Sequence, residues 1–303
     1  MPETPPPSPV TLRTLHRMAR GGERFACLTC YDATTARWLE RAGVHLLLVG
    51  DTAAEMVLGL PGTVHMPLEM SLALTAAVKR GAPNTVVMGD MPFMSYHADE
   101  AEGIRNAGRF VTEGMADIVK IEADASFGSL VAKMSRAGVP VCGHVGSRPQ
   151  RAGMTGGYSS SGRTADEARR IVTDAIALEE AGCVMLLIEA APPEVTEQIV
   201  ERSRVPVIGI GAGPACHGEI LVLQDLLGLT DWQPPFAEPV ARLGEAVQGA
   251  AAQWIRRVRE GAVTEHRYRM KPGESERLAA RNADGAPEAP AKPGVSSVRG
   301  GTG

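Results

Sequence analysis

The chain has 303 residues, 44% hydrophobic and 22% charged, and with aromatics at 4% its core must be filled by aliphatic side chains; this is the make-up of a globular protein and excludes disorder over the whole length. A formal net charge of -4 provides no basic footprint for nucleic acid or an anionic membrane, so small-molecule chemistry is the expectation. The opening MPETPPPSPV has no apolar signal segment and no later run reaches the roughly 18 uncharged apolar residues of a membrane span, which points to a cytoplasmic protein without membrane or nucleic-acid partners.

In chain order, a Pro-rich tail at 1–10 leads into a barrel-sized segment at 11–270, and the stretch 271–303, rich in Gly, Pro, Ala, Ser and charge, reads as a second disordered tail. The first strand is expected at Phe25–Cys30, then a helix at Ala33–Ala42 between an Asp32 N-cap and Gly43, and a strand at His45–Val49. Helix Leu68–Arg80, strand Thr85–Met88, helix Glu100–Gly114 behind Asp99 and strand Asp117–Ile121 follow. Helix Ser126–Ala137 ends at Gly138, strand Val139–Gly143 comes next, and helix Ala165–Ala181 lies between Thr164 and Gly182. Strand Val184–Ile188, helix Glu194–Arg202, strand Val205–Ile210 and a weaker eighth strand at Ile220–Leu223 complete the series, with a late helix at Gln248–Val258 expected to pack outside. This alternation predicts an α/β fold of the (β/α)8 TIM-barrel type.

The five cysteines are odd in number, and Cys27, Cys142 and Cys183 lie in apolar runs where a free thiol behaves as a small hydrophobe. Cys27 and Cys30 form a C-x-x-C pair without a second pair or a nearby His, so neither a zinc site nor a disulfide is expected.

In a barrel the carboxyl ends of the strands share one mouth, where active sites are built. Strand two runs into Gly50-Asp51-Thr52, strand three into Gly89-Asp90, strand four carries Lys120 and Glu122, strand five ends at His144 and strand six at Glu189. Any one of these carboxylates could merely cap the next helix, and His144 could be a hydrogen-bonded histidine near the core. As a set they would raise one another's pKa unless a cation neutralised them, and Asp/Glu oxygens with open water positions suit Mg2+. Lys120 and Glu122, two apart on one strand, point to the same face, with Ile121 turned to the helices. The run Gly209-Ile210-Gly211-Ala212-Gly213 is a weak dinucleotide signal because it follows a late strand. It reads better as a turn that admits an anionic ligand or lets loops pack closely. Gly156-Gly157-Tyr158, with Ser159-Ser160-Ser161 after it, reads as a hinge or lid.

From about Leu12 to Tyr268 the chain resembles the ketopantoate hydroxymethyltransferases of the phosphoenolpyruvate mutase/isocitrate lyase superfamily. The resemblance is carried, in order, by CYDATTAR, LLLVGDT, VKRGAPNTVVMGDMPFMSY, VKIE, VPVCGHVGSRPQ, GGY, LLIEAAPPEV and VPVIGIGAGPACHGEILVLQDLLGL. It implies that Asp51 and Asp90 bind Mg2+, that Glu122 supports the metal directly or through water, that Glu189 is the base, and that Lys120, His144 and Thr52 contact substrate. It further implies transfer of a one-carbon unit from 5,10-methylenetetrahydrofolate to 3-methyl-2-oxobutanoate, giving 2-dehydropantoate in pantothenate biosynthesis, and a homo-oligomer, commonly a decamer.

The chain departs from the family pattern at Thr52-Ala53-Ala54, Ala73-Leu74, Ser161 and His217-Gly218-Glu219, departures expected to cluster where substrate lies. They leave open a paralogue acting on another 2-oxo acid or aldehyde donor. A superfamily lyase or mutase is the other enzyme reading, but the run Val141-Cys142-Gly143-His144 lacks the lysines and the placed cysteine such a lyase would carry. A non-catalytic barrel scaffold is the third reading, opposed by the retained metal and base positions.

Overall fold

The computed structural model describes residues 9–262 and 268–283. Of the tails expected at 1–10 and 271–303, residues 1–8 and 284–303 lie outside those described. The chain forms two compact units, Met1–Ala246 and Val247–Gly303, and the first contains the expected barrel.

Eight parallel strands close in sequence order, β1 Phe25–Thr29, β2 Leu46–Val49, β3 Val86–Asp90, β4 Ile118–Glu122, β5 Val141–Gly146, β6 Met185–Glu189, β7 Val207–Ile210 and β8 Gly218–Leu221, with β8 pairing back to β1. Around them stand α2 Ala33–Ala42, α4 Leu68–Gly81, α5 Glu100–Thr112, α6 Gly128–Arg136, α8 Ala165–Ala181 and α9 Pro193–Arg202, with the one-turn helices α3 Ala53–Met56, α7 Ala152–Thr155 and α10 Leu223–Leu226 following β2, β5 and β8. Helix α2 starts on Asp32, whose carboxylate accepts from the N–H groups of Thr34 and Thr35, and ends on left-handed Gly43. Helix α8 opens with a Thr164/Glu167 capping box and ends on left-handed Gly182. These local devices set the helix limits that the sequence pattern foretold.

The strands' inward residues divide the lumen into layers, because side chains on a strand alternate faces. At the floor, Phe25, Cys27, Leu46, Leu48, Val86, Met88, Ile118, Cys142, Met185, Leu187, Ile208 and Ile220 form one buried cluster. Leu15 and Met18 complete it from helix α1, Leu12–Arg20, which opens on a Thr11/Thr14 capping box. The outward residues Val119, Ile121, Val141, Val145, Leu186 and Ile188 pack against α5, α6 and α8, and Leu47, Val49 and Val87 against the α2/α4 side.

Three features depart from the sequence reading. Helix α1 was not anticipated; it is short and mostly polar, and only its position against the floor gives it a core. Strand β8 begins at Gly218, two residues before the expected start, because Phe25 pairs with Gly218 where a Cβ would come within 2.3 Å of the Phe25 ring. His217-Gly218-Glu219 therefore lies at the floor, at the start of β8, and not in a loop at the mouth.

The second unit contains α12 Glu274–Ala283, a helix inside the stretch from 271 that reads as tail in the sequence, and shares α11 Leu243–Arg259 with the first unit. No residue of α11 is buried, and Val247, Trp254, Ile255 and Val258 are exposed. No helix among the described residues is long and apolar enough to cross a membrane. All five cysteines are free and buried; Cys27 belongs to the floor cluster and Cys30 to the outer one.

Candidate active site

Above the floor the inward residues change from apolar to polar within one strand step. Met88 is followed inward by Asp90, Ile118 by Lys120 and Glu122, Cys142 by His144, and Leu187 by Glu189. Strand register sets Asp90 beside Lys120, Glu122 beside His144, and Gly146 beside Glu189. All of the expected mouth residues on β2–β6 thus reach one place.

They form a contiguous chain of contacts. The backbone N–H of Asp51, just past β2, donates to Oδ2 of Asp90 at 3.0 Å. The Lys120 ammonium lies 2.9 Å from the same oxygen, and Lys120 Nζ is 3.4 Å from Nδ1 of His144. His144 Nε2 is 3.3 Å from Glu189 Oε2, although off the hydrogen-bonding direction, so that Nε2 has no partner of good geometry. An ammonium can only donate, which makes Nδ1 the acceptor and leaves the imidazole proton on Nε2, facing Glu189. Asp51, Asp90, Lys120, Glu122 and His144 are all buried, whereas the Glu189 side chain keeps 23% of its surface open at the mouth.

Burial governs the protonation of this group. It pushes Asp90 up to about 7, with the nearby Asp51 adding to the rise and Lys120 opposing it. It likewise holds Glu122 well above the usual carboxylate range, against the pull of Lys120. Burial alone would depress Lys120, but the facing Asp90, Asp51 and Glu122 outweigh it and keep the ammonium above its ordinary value. His144 is held below the usual histidine range by burial and by Lys120, against Glu189, and is neutral at pH 7.

The donor set fits a hard divalent cation in part. Asp51 and Asp90 are adjacent buried carboxylates, and Oδ1 of Asp90 is buried with no hydrogen-bond partner, the kind of oxygen that Mg2+ accepts. Both oxygens of Glu122 instead accept from the backbone N–H of Gln150, at 3.2 and 3.1 Å. No three His, Cys, Asp or Glu side chains among the described residues close into a metal-ligand group. Thr52 sits in the mouth with Oγ1 2.6 Å from the hydroxyl of buried Tyr31.

The departures divide between the mouth and other parts of the barrel. Ala53 and Ala54 are fully buried in the outer core with the α2/α4 side, Leu74 packs on that cluster, and Ala73 is exposed on α4. His217–Glu219 lies at the floor, whereas Thr52 stands in the mouth with Ala53 and Ala54 directly behind it, the Ala54 N–H donating to the Asp51 carbonyl at 2.9 Å. Ser161 lines a cavity of about 650 Å³ over the end of β5, together with Ser147, Arg148, Arg151, Tyr158 and Asp174. The loop above it bends at left-handed Gly156 and Gly157, and the Tyr158 hydroxyl donates to Oε2 of Glu55 at 3.2 Å.

The glycine run after β7 serves close packing. A Cβ on Gly211 would stand 2.5 Å from the Phe236 ring, and one on Gly213 2.9 Å from Pro193, so the turn packs closely against its neighbours. Sequence reasoning assigned no role to Gln150, Tyr96 or Tyr31. These neutral polar residues are buried at the mouth, and their sole signal was a place inside the quoted motifs.

Known proteins resemble this chain over most of its length. The family model of ketopantoate hydroxymethyltransferase matches residues 9–265. A 3-methyl-2-oxobutanoate hydroxymethyltransferase of Hyperthermus butylicus is 43% identical over 271 residues, 89% of this chain and 94% of that protein. One of Pyrobaculum aerophilum is 40% identical, covering 82% of this chain and 95% of that protein. Among solved structures, a phosphonopyruvate hydrolase bound to oxalate and Mg2+ superposes with a TM-score of 0.56 at 15% identity, over 90% of this chain and 98% of that one. A 2,3-dimethylmalate lyase of the phosphoenolpyruvate mutase/isocitrate lyase superfamily gives 0.56 at 17% identity, over 93% and 100%. At such identity the superpositions establish the shared fold.

Proposed function

The chain belongs to the ketopantoate hydroxymethyltransferase family, and we propose that it is a 3-methyl-2-oxobutanoate hydroxymethyltransferase. In this reading C3 of 3-methyl-2-oxobutanoate loses a proton and bonds to the one-carbon unit of 5,10-methylenetetrahydrofolate. One water is consumed, and 2-dehydropantoate and tetrahydrofolate are released. The observation that carries the reading is the unbroken line Glu189–His144–Lys120–Asp90–Asp51 across the mouth.

Asp51 and Asp90 are the residues that would hold Mg2+, with Glu122 beside them. A bound divalent cation would supply Lewis-acid stabilisation of negative charge on the keto oxygen of a 2-oxo acid. The chain's own groups do the rest. Glu189, open to the mouth, takes the C3 proton. Neutral His144 keeps Nε2–H 3.3 Å from Glu189, a polar neighbour for the carboxylate that takes the proton. Lys120, held charged by its carboxylate neighbours, offsets the negative charge gathered in the site. The cavity over β5 has the size of a small-molecule site and adjoins the mouth, which supports a second substrate entering there.

The placement of His217–Glu219 at the floor and of Ala73 on the exposed side of α4 favours the family's substrate over a paralogue's. Turnover of purified protein on a panel of 2-oxo acids, with Mg2+ and methylenetetrahydrofolate, tests both. The expected result is a clear preference for 3-methyl-2-oxobutanoate, while preference for another 2-oxo acid would establish the paralogue. A homo-oligomer in the cytoplasm belongs to the same reading; the exposed apolar residues of α11 support assembly, and light scattering tests it.

A further inference from the structure

Gln150 lies in a short 3-10 turn, Pro149–Arg151, behind β5. Its side chain is almost fully buried among the mouth carboxylates. The amide nitrogen Nε2 is 3.0 Å from Oδ2 of Asp51 and 3.1 Å from the carbonyl oxygen of Met91. Both partners can only accept, which fixes the orientation of the amide: NH2 towards Asp51 and Met91, Oε1 towards Tyr96. The Tyr96 hydroxyl receives the backbone N–H of Glu122 at 3.0 Å and has its one proton to share between Oε1 and the Glu122 carbonyl oxygen, each at 3.0 Å. The backbone N–H of Gln150 itself binds both carboxylate oxygens of Glu122.

We propose that Gln150 is a positioning residue that sets the directions of two site carboxylates at once, tying up Oδ2 of Asp51 so that its other oxygen is presented to a divalent cation, and holding Glu122 beside it. The inference rests on the reading of Asp51 and Asp90 as the cation-holding pair. Three arguments carry it. Both N–H donors of the buried amide are used, and a buried amide left unsatisfied is costly, so the direction of the NH2 group is strongly determined. The donors come from one residue and reach carboxylates on two strand ends, after β2 and on β4. Carboxylates that hold metals are themselves held by hydrogen bonds in this manner, and loss of such support commonly weakens metal affinity about 10–100-fold.

The test is calorimetric Mn2+ titration of the full chain, with and without oxalate as a 2-oxo acid mimic, on the unaltered protein, Gln150→Met and Tyr96→Phe. Met keeps the length and apolar packing of the side chain and the backbone N–H to Glu122, but removes the side-chain N–H donors to Asp51 and Met91. Expected are Mn2+ affinity lowered about 10-fold or more in Gln150→Met, a smaller loss in Tyr96→Phe, which keeps the donors to Asp51, and a larger fall in kcat than rise in KM. A merely structural role would lower the melting temperature and leave Mn2+ affinity in the folded fraction intact; that result overturns the inference. If Gln150→Met fails to fold, an unchanged Mn2+ affinity in Tyr96→Phe overturns it equally, and a severalfold loss there sustains it. Absence of Mn2+ binding by the unaltered protein would overturn the cation-holding pair, and this inference with it, whereas normal binding in both variants removes Gln150 alone.

Discussion

The floor and the mouth of the barrel are made by the same strands, one inward position apart, yet they obey opposite rules. At the floor Met88, Ile118, Cys142 and Leu187 meet in an apolar cluster plugged by α1; one strand step higher Asp90, Lys120 and His144 crowd polar and charged groups into nearly the same burial, with Glu189 partly open beside them. The floor gains stability from packing. The mouth keeps buried charge, whose desolvation costs are repaid only by close pairing such as Lys120 with Asp90. What the difference teaches is that stability and chemistry are separable along the barrel axis, and the separation can be tested by substitution.

The largest effect should come from the floor. Met88 is fully buried among lumen side chains, and Met88→Ala should cost about 2–5 kcal/mol of stability, read by urea unfolding, while kcat per folded molecule stays near that of the unaltered protein. A comparable loss of kcat in the folded fraction would mean that floor and mouth are not separable. The converse substitution is Glu189→Gln, which keeps size and polarity at the half-open end of β6. Proton exchange at C3 of the 2-oxo acid in D2O, followed by NMR without folate, should fall about 100-fold or more, equivalent to about 2.7 kcal/mol of barrier, with unfolding unchanged. Equal exchange in the two proteins would transfer the base role to Glu122 or His144.

The outer wall provides an intermediate case. Gly89 immediately precedes Asp90 on β3 but faces outward, and a Cβ there would stand 2.5 Å from the Phe110 ring and 3.2 Å from Thr75. Gly89→Ala should therefore cost about 1–3 kcal/mol through overpacking. Because the strain falls on the strand that carries Asp90, Mn2+ affinity should also drop in calorimetry. Loss of stability with unaltered Mn2+ affinity would show that the wall can yield without moving the mouth.

The mouth was more legible in the sequence than the floor. Asp51, Asp90, Lys120, Glu122, His144 and Glu189 each follow or end an apolar run, so strand alternation and direction sufficed to bring them together. Helix limits at Asp32, Gly43, Thr164 and Gly182 were legible because caps are local chemistry. What escaped depends on tertiary placement. Helix α1 has a core only against the lumen. The start of β8 is set by pairing with Phe25, which also decides that Glu219 lies at the floor. Whether Ala73 faces the site or solvent depends on how α4 is rotated against the wall. Gln150 and Tyr96 carry no charge and follow no strand period, so their link between Asp51 and Glu122 becomes visible only in three dimensions.

The smallest effect should be found one residue past the base. Ala190 adopts a φ of 45°, a left-handed conformation that costs a residue with a Cβ roughly 1–2 kcal/mol. The turn is held from both sides: its N–H donates to the Ile210 carbonyl at 2.9 Å and its own carbonyl accepts from Ser161 N–H at 3.0 Å. It swings the chain away at the point where Glu189 must project into the mouth. Glycine would relieve the strain but add freedom to the unfolded chain, worth about 0.4–1 kcal/mol. Ala190→Gly should therefore stabilise by only about 0.5–1 kcal/mol, a rise in melting temperature of about 1–4 °C. If the alanine methyl also limits the swing of Glu189, C3 proton exchange should slow slightly in the same variant. A lower melting temperature would show that residue 190 is not strained; a higher one with slower exchange would show the mouth giving up stability for aim, one residue above a floor that gives up none.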